Sequence, residues 1–148
     1  SYLTGTDVSN TTREITYTAE PRAIKNYTGD IVTISDDELR CKCGCNELIF
    51  DSAVRVALNT IRMEYGKPMV VTSGYRCPNH PIEAKKSKPG EHTTGMCVDI
   101  GCSGFDAAVI TSLAVKYGAT RIGWNQKGSG RFVHLGWSTD YPKGTWTY

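Results

Sequence analysis

No run of apolar residues in this 148-residue chain approaches the roughly 20 that cross a bilayer, so no membrane span is expected. A charge imbalance is equally lacking: 17 Lys and Arg stand against 15 Asp and Glu, a formal net charge of +2. That is too little to argue for a nucleic-acid partner, although it permits contact with an anionic polymer. Ser1-Tyr2-Leu3 leads straight into polar sequence, without the basic and apolar regions of a secretory leader, so no signal peptide is expected. Without a leader, the glycosylation sequons at Asn10 and Asn26 read as chance. The length fits one domain able to bury its own core.

What is present falls into two parts. Residues 1–35 are dense in Thr and Ser, with β-branched or alternating stretches at 14–18 and 31–34. They read as a β-rich N-terminal arm that packs on the domain or engages a partner. Residues 36–148 read as the domain proper. Ser35-Asp36-Asp37-Glu38 has the form of a capping box opening a helical turn. Leu48, Val54, Leu58 and Ile61 recur near helical spacing over 47–65, with Gly66 as the stop and Pro68 beyond it. A short strand follows at 69–72. Residues 78–95 hold Pro, Asn, Gly, Lys and Ser without a period, and long loops of that kind usually carry function. Residues 97–100 form a strand, and Ser103 to Asp106 is a second expected capping box opening a helix to Tyr117. Residues 120–124 and 132–137, joined by the turn-rich 125–130, predict a hairpin.

Six cysteines are many for such a chain. Cys41, Cys43 and Cys45 crowd into one five-residue stretch, while Cys77, Cys97 and Cys102 flank the richest motif region. Disulfides, a second zinc held by thiolates, and buried free thiols all remain open readings. Neighbours in C-x-C pair poorly with each other, so any bridge should reach across the fold, with Cys77 a candidate partner.

The chemistry centres on 73–101 and on one later residue. His92 is followed seven residues on by Asp99, and His134 arrives in Phe132-Val133-His134. Strand alternation sets Asp99 opposite Val98 and Ile100, and His134 opposite Val133 and Leu135, so both are expected on one exposed sheet face. Gly123 and Gly136 are expected on that face too, leaving room for a substrate backbone. Two imidazoles and one carboxylate leave a fourth zinc position open, the catalytic pattern, where bound water is acidified toward about pH 7. Taken singly, each residue has a plainer reading: a lone strand histidine is usually just hydrogen-bonded.

Ser73-Gly74-Tyr75-Arg76, then His92-x-x-Gly95-x-x-x-Asp99, then Phe132-Val133-His134, taken in order, resemble the M15 group of zinc peptidases. That group includes D-alanyl-D-alanine carboxypeptidases and the L-alanyl-D-glutamate endopeptidases of phage endolysins, and its fold is shared with the Hedgehog signalling domain. The resemblance implies an α+β domain with a small central antiparallel sheet and flanking helices. It further implies Zn2+ held by His92, Asp99 and His134, with Arg76 binding or polarising the substrate, and hydrolysis within the stem peptide of peptidoglycan. With no leader expected, a phage lysin or virion-associated protein fits, located in the virion or at the host cell wall or periplasm after release. Its arm could meet other virion proteins.

The chain departs from the group's pattern in two respects. Many relatives have Ser where this chain has Gly90, which weakens the carboxypeptidase reading in favour of an endopeptidase. Others carry an acid at the position of Arg131 or of Gly136, where a proton acceptor for the attacking water is needed. Asp140 and Glu91 are the nearest substitutes in sequence. In an extended segment Glu91 would point away from His92, so Asp140 is the preferred proton acceptor. A module that keeps the fold and zinc but has lost catalysis is the alternative. Lys85, Lys86 and Lys88 could steer an anionic polymer or merely solvate the loop. Trp124, Trp137, Tyr141, Trp146 and Tyr148 could line a cleft or anchor the tail.

Overall fold

The computed structural model describes Lys25 and residues 33–148. The arm expected at 1–35, with its strands at 14–18 and 31–34, lies almost wholly outside the described residues. Five helical segments and five strands follow in chain order: α1 (Asp36–Leu39), α2 (Ser52–Tyr65), β1 (Val70–Ser73), α3 (Pro81–Ala84), a 3-10 turn (Glu91–Thr94), β2 (Cys97–Gly101), α4 (Phe105–Lys116), β3 (Arg121–Asn125), β4 (Phe132–Gly136) and β5 (Gly144–Thr147). The strands form one sheet in the order β1-β2-β4-β3-β5. All pairings are antiparallel except β3 with β5, which is parallel. The class is the α+β architecture the motifs imply, with an unforeseen parallel edge strand.

The Ser35 capping box forms as expected: its hydroxyl accepts from the Glu38 amide, and the Glu38 carboxylate accepts from the Ser35 amide. Helix α2 begins later than the apolar spacing suggests, because the Asp51 carboxylate takes the Ala53 and Val54 amides at 2.8 and 3.1 Å and fixes the start. Gly66, at φ 72°, ends it in the left-handed conformation. Val54, Ala57, Leu58 and Ile61 are buried in the core. Two arginines on the same helix are buried to fasten α1: Arg55 bonds Asp36 at 2.6 Å and the Ile34 carbonyl at 2.8 Å, while Arg62 holds Glu38 and the Met69 carbonyl. The second capping box does not form. Gly104 precedes α4 at φ 63° with no side-chain cap, and Asp106 pairs with Lys67 at 2.9 Å instead of reaching back.

Register places the two faces of the sheet. Val98 and Ile100 of β2 lie beside Leu135 and Val133 of β4, all fully buried on the helix side with Ile110 and Ala114. Asp99 pairs with His134, and Cys97 with Gly136, on the opposite side. That side is not an exposed face, as the alternation alone suggested. The stretch between β1 and β2 folds back over it, and β5 supplies Trp146 beside Gly123.

Candidate metal centre

His92 is delivered by the 3-10 turn. Thr93 and Thr94 bond their hydroxyls to the Gly90 and Glu91 carbonyls at 2.7 and 2.6 Å, which tightens the turn. Gly95 ends it at φ 70°, so close to the segment before α2 that an added Cβ would lie 2.3 Å from the Ile49 carbonyl oxygen. The Gly95 carbonyl accepts the Asp51 amide at 2.8 Å, and the Arg76 amide bonds the His92 carbonyl at 3.1 Å. The turn is thereby clamped to both α2 and the segment after β1. Gly74 is held just as closely to the Leu39 backbone, which a Cβ would meet at 2.6 Å.

The rings then settle their own tautomers. His92 Nδ1 is 2.7 Å from the Gly74 carbonyl oxygen, an obligate acceptor, so that nitrogen carries the proton. His134 Nε2 is 2.8 Å from Glu91 Oε1, and its proton lies there. What remains is a lone pair on His92 Nε2 and another on His134 Nδ1. Both converge on Asp99 Oδ1, at 3.3 and 3.1 Å. Two lone pairs and a carboxylate oxygen facing one another repel unless a cation or additional protons sit among them. The donor set, with each imidazole tied on its far side to a carbonyl or carboxylate, could hold a divalent metal ion and fits zinc. The centre is buried: His92, Asp99 and His134 are 5, 6 and 3% exposed.

The electrostatics agree. Burial pushes the Asp99 carboxyl upward, but without a metal His134 and His92 beside it outweigh that and hold the group far below the usual carboxylate range. Burial pushes His134 down, and Asp99 and Glu91 more than offset that, so without a metal the ring retains its second proton above the ordinary imidazole value.

Glu91 is the residue the extended-segment reading misplaced. In a 3-10 turn its side chain swings to the same side as His92 and becomes buried. Its carboxylate accepts His134 Nε2 and Arg121 Nε, both at 2.8 Å, and the Ser138 amide at 3.1 Å. It fills the space beside Gly136: a Cβ there would fall 2.2 Å from Glu91 Oε2. The acid absent from position 136 is thus replaced in space by one from position 91, and the room expected above Gly136 is taken. Trp146 likewise occupies the space above Gly123, 2.5 Å from where a Cβ would be. Burial raises the Glu91 pKa, and His134, Arg121 and Ser138 together bring it below the ordinary value.

Arg76 reaches the centre from the segment after β1. Its Nη2 is 3.5 Å from Asp99 Oδ2, its Nη1 3.2 Å from Glu83, and its Nε 3.1 Å from the Ser73 hydroxyl. Buried Glu83 also binds Lys86 at 2.9 Å and the Gly90 amide at 2.9 Å, so a serine side chain at position 90 would displace the Lys86 ammonium. Tyr75 points into the core instead of the site. A pocket of about 470 Å3 opens above the centre, and the two carboxylates among its lining residues are Glu91 and Asp99. Its walls include Arg76, Arg121, Tyr141, Trp146 and Tyr148. Trp146 stacks against His134 at 5.2 Å, and the Arg121 guanidinium lies 4.9 Å from the Trp146 ring. Trp137 is instead buried in the core and donates to the Tyr117 carbonyl.

Of the residues singled out by sequence, His92, Asp99, His134 and Arg76 come together. Asp140 does not: it is exposed on the turn after β4 and is absent from the pocket wall, its amide bonding the Ser138 hydroxyl at 3.2 Å. Sequence reasoning missed Arg121, whose only advance signal was its place in a strand with its side toward His134. It also missed Cys97, fully buried, whose sulfur lies within 4.8 Å of the ligand atoms of His92 and His134. Burial, with Glu91 and Asp99 nearby, pushes that thiol well above its ordinary pKa.

An α+β sheet carrying two histidines and an aspartate at the foot of a cleft defines a metallopeptidase-like domain. The profile of the family described as Peptidase M15 matches residues 32–136, and the chain belongs to that family. The match spans all four α-helices, the 3-10 turn and every strand of the sheet but β5. A comparison with curated proteins finds no match to this chain.

Proposed function

We propose that this domain is a zinc-dependent peptidase acting on the stem peptides of peptidoglycan, with His92, Asp99 and His134 as the metal ligands. The observation that carries the reading is the convergence of two imidazole lone pairs on one carboxylate oxygen at the foot of an open pocket. A divalent ion bound there supplies a Lewis acid for a peptide carbonyl and acidifies a water molecule.

The chain's own groups do the remainder. Arg76 presents guanidinium donors beside Asp99, where they pair with a substrate carboxylate or with charge developing on the scissile oxygen. Glu91 replaces Asp140 as the proton acceptor: it is the pocket carboxylate left once Asp99 is committed to the metal. Its Oε1 holds the His134 tautomer, and its Oε2 accepts a single amide, keeping a lone pair for the proton. The pocket suits a short acidic peptide. Its volume falls within the usual range for small-ligand sites, its cationic groups attract carboxylates, and Trp146 and Tyr141 close one wall. Exposed Lys85 and Lys88 add long-range attraction for an anionic wall polymer. With Gly90 in place of serine, an endopeptidase is favoured over a carboxypeptidase. The setting we propose is a phage lysin or virion enzyme that meets the host wall, its first 35 residues contacting other virion proteins.

Cys97 motivates a second reading. If its sulfur closes the fourth metal position, the domain is a non-catalytic zinc module. Digestion of defined muropeptides, followed by mass spectrometry of new termini, separates the two. The peptidase reading expects cleavage by the wild type and none by His134→Ala, which also loses that metal. Cleavage retained in His134→Ala rejects it, and a zinc-loaded wild type that cuts no muropeptide favours the module.

A further inference from the structure

A second group of ligand atoms lies away from the pocket, at the junction of the Cys41–Cys45 stretch with the segment after β1. The sulfurs of Cys41, Cys43, Cys45 and Cys77 all lie within 4.8 Å of one another. Cys41 and Cys43 are 3.5 Å apart, and Cys43 and Cys77 are 3.6 Å apart. A tetrahedron of thiolates around zinc, with Zn–S about 2.3 Å, has edges of roughly 3.8 Å. We propose that these four cysteines bind a structural zinc ion, separate from the pocket.

The backbone is arranged for that role. Gly44, at φ 102°, lets the chain reverse within Cys-x-Cys-Gly-Cys so that three sulfurs turn to one point. The Cys77 amide donates to Cys41 Sγ and the Glu47 amide to Cys45 Sγ, both at 3.3 Å, which is how protein groups stabilise charge on ligating sulfur. The loop is closed from outside as well. The Cys41 amide bonds the Glu47 carbonyl at 2.9 Å, Arg40 bonds the Asn46 carbonyl at 2.9 Å, and Lys42 bonds the Asp37 carbonyl at 2.7 Å. All six cysteines are free thiols, so nothing covalent already occupies these four. A pair of disulfides would need to draw two sulfurs together and away from the others, whereas one ion satisfies all four where they stand. Four sulfurs leave no vacant position, so the ion is structural; on binding, the thiols release their protons to solvent. Its place gives it a task. Cys77 directly follows Arg76, so the ion ties the α1–α2 connection to the segment that presents the guanidinium to the pocket.

The test is metal analysis of the full chain purified under reducing conditions, with cobalt substitution as a second readout. Cys43 and Cys45 are exposed, so Cys43→Ser/Cys45→Ser removes two ligands without opening the core. Zinc content is expected to fall by one equivalent per chain in this variant. Cobalt-loaded His134→Ala is expected to keep the intense sulfur-to-cobalt absorption of a tetrathiolate, and Cys43→Ser/Cys45→Ser to lose it. The thermal midpoint of the wild type should fall further on chelation than that of the double variant, which has only the pocket ion to lose. Zinc content unchanged in the double variant, sulfur–cobalt bands absent from His134→Ala, or disulfides found by mass mapping of the native protein would each overturn the proposal. It stands apart from the peptidase reading: metal lost only from His134→Ala overturns the thiolate site, and metal lost only from the cysteine variant overturns the pocket site.

Discussion

Replacing Glu91 by glutamine removes a charge while keeping the shape, and the structure says what each contact loses. The amide oxygen can still accept His134 Nε2 and Arg121 Nε, but its NH2 group then faces the Ser138 N–H, donor against donor. Turned over, the NH2 meets the imidazole and guanidinium instead. Either way a buried donor goes unmatched, at about 1–3 kcal/mol, and roughly 2–4 °C of thermal midpoint per kcal/mol is expected for a chain of this size. Loss of the carboxylate that orients His134 should weaken metal binding about 10–100-fold. If Glu91 also takes the proton, turnover at saturating zinc should drop by about 10²–10⁴. Steady-state cleavage of a muropeptide with zinc in excess separates the two effects. The double variant Glu91→Ala/Gly136→Asp adds a further arm, because aspartate at position 136 enters the space the glutamate vacates. Gly136→Asp alone should be damaging, since its Cβ would lie 2.2 Å from Glu91 Oε2. The double variant should recover part of the lost turnover, a coupling that a mutant cycle measures. Wild-type kcat in Glu91→Gln at saturating zinc would refute Glu91 as proton acceptor, leaving it a positioning residue.

Further expectations follow from the same geometry. Zinc affinity measured against a competing chelator should weaken on acidification from above pH 6.5, because the raised His134 pKa lets a proton compete for the nitrogen lone pair earlier than in a free imidazole. Cys97→Ala should leave both cleavage and pocket zinc in place, and loss of the zinc would show that sulfur to be a ligand. Gly95→Ala should destabilise the fold by at least about 1–2 kcal/mol for the left-handed conformation alone, with more from contact with the Ile49 carbonyl, as read by denaturant unfolding. Glu38, pushed up by burial but pulled further down by Arg62 and Ser35, has a folded pKa below its unfolded 4.5. Its contribution is therefore present above about pH 4.5 and lost as pH falls through the lower folded value. Glu38→Gln should flatten that part of the stability–pH curve.

Strand alternation was enough to put Asp99 and His134 on one face of the sheet, since a period of two leaves little freedom once Val98, Ile100, Val133 and Leu135 are assigned to the core; their pairing side by side is set by tertiary register. The Ser35 capping box was legible because both of its bonds are local. Glu91 was not, because its direction depends on whether residues 91–94 are extended or coiled. That choice rests on Thr93, Thr94 and the docking of Gly95 against Ile49, a contact far away in sequence. The failure of the second capping box has a similar cause, with Lys67 drawing Asp106 outward. Strand β5 has little apolar alternation of its own and is fixed by tertiary pairing, Gly123 with Trp146. The cysteine spacing left bridge, metal and free thiols open, because only the fold brings Cys77 beside the Cys41–Cys45 stretch.

The most direct test of the metal-centred account is add-back of zinc to chelated protein while stem-peptide hydrolysis is followed. The account predicts no hydrolysis before addition and recovery as the site formed by His92, Asp99 and His134 fills, with no recovery in His92→Ala. Full hydrolysis by rigorously metal-free protein would contradict it.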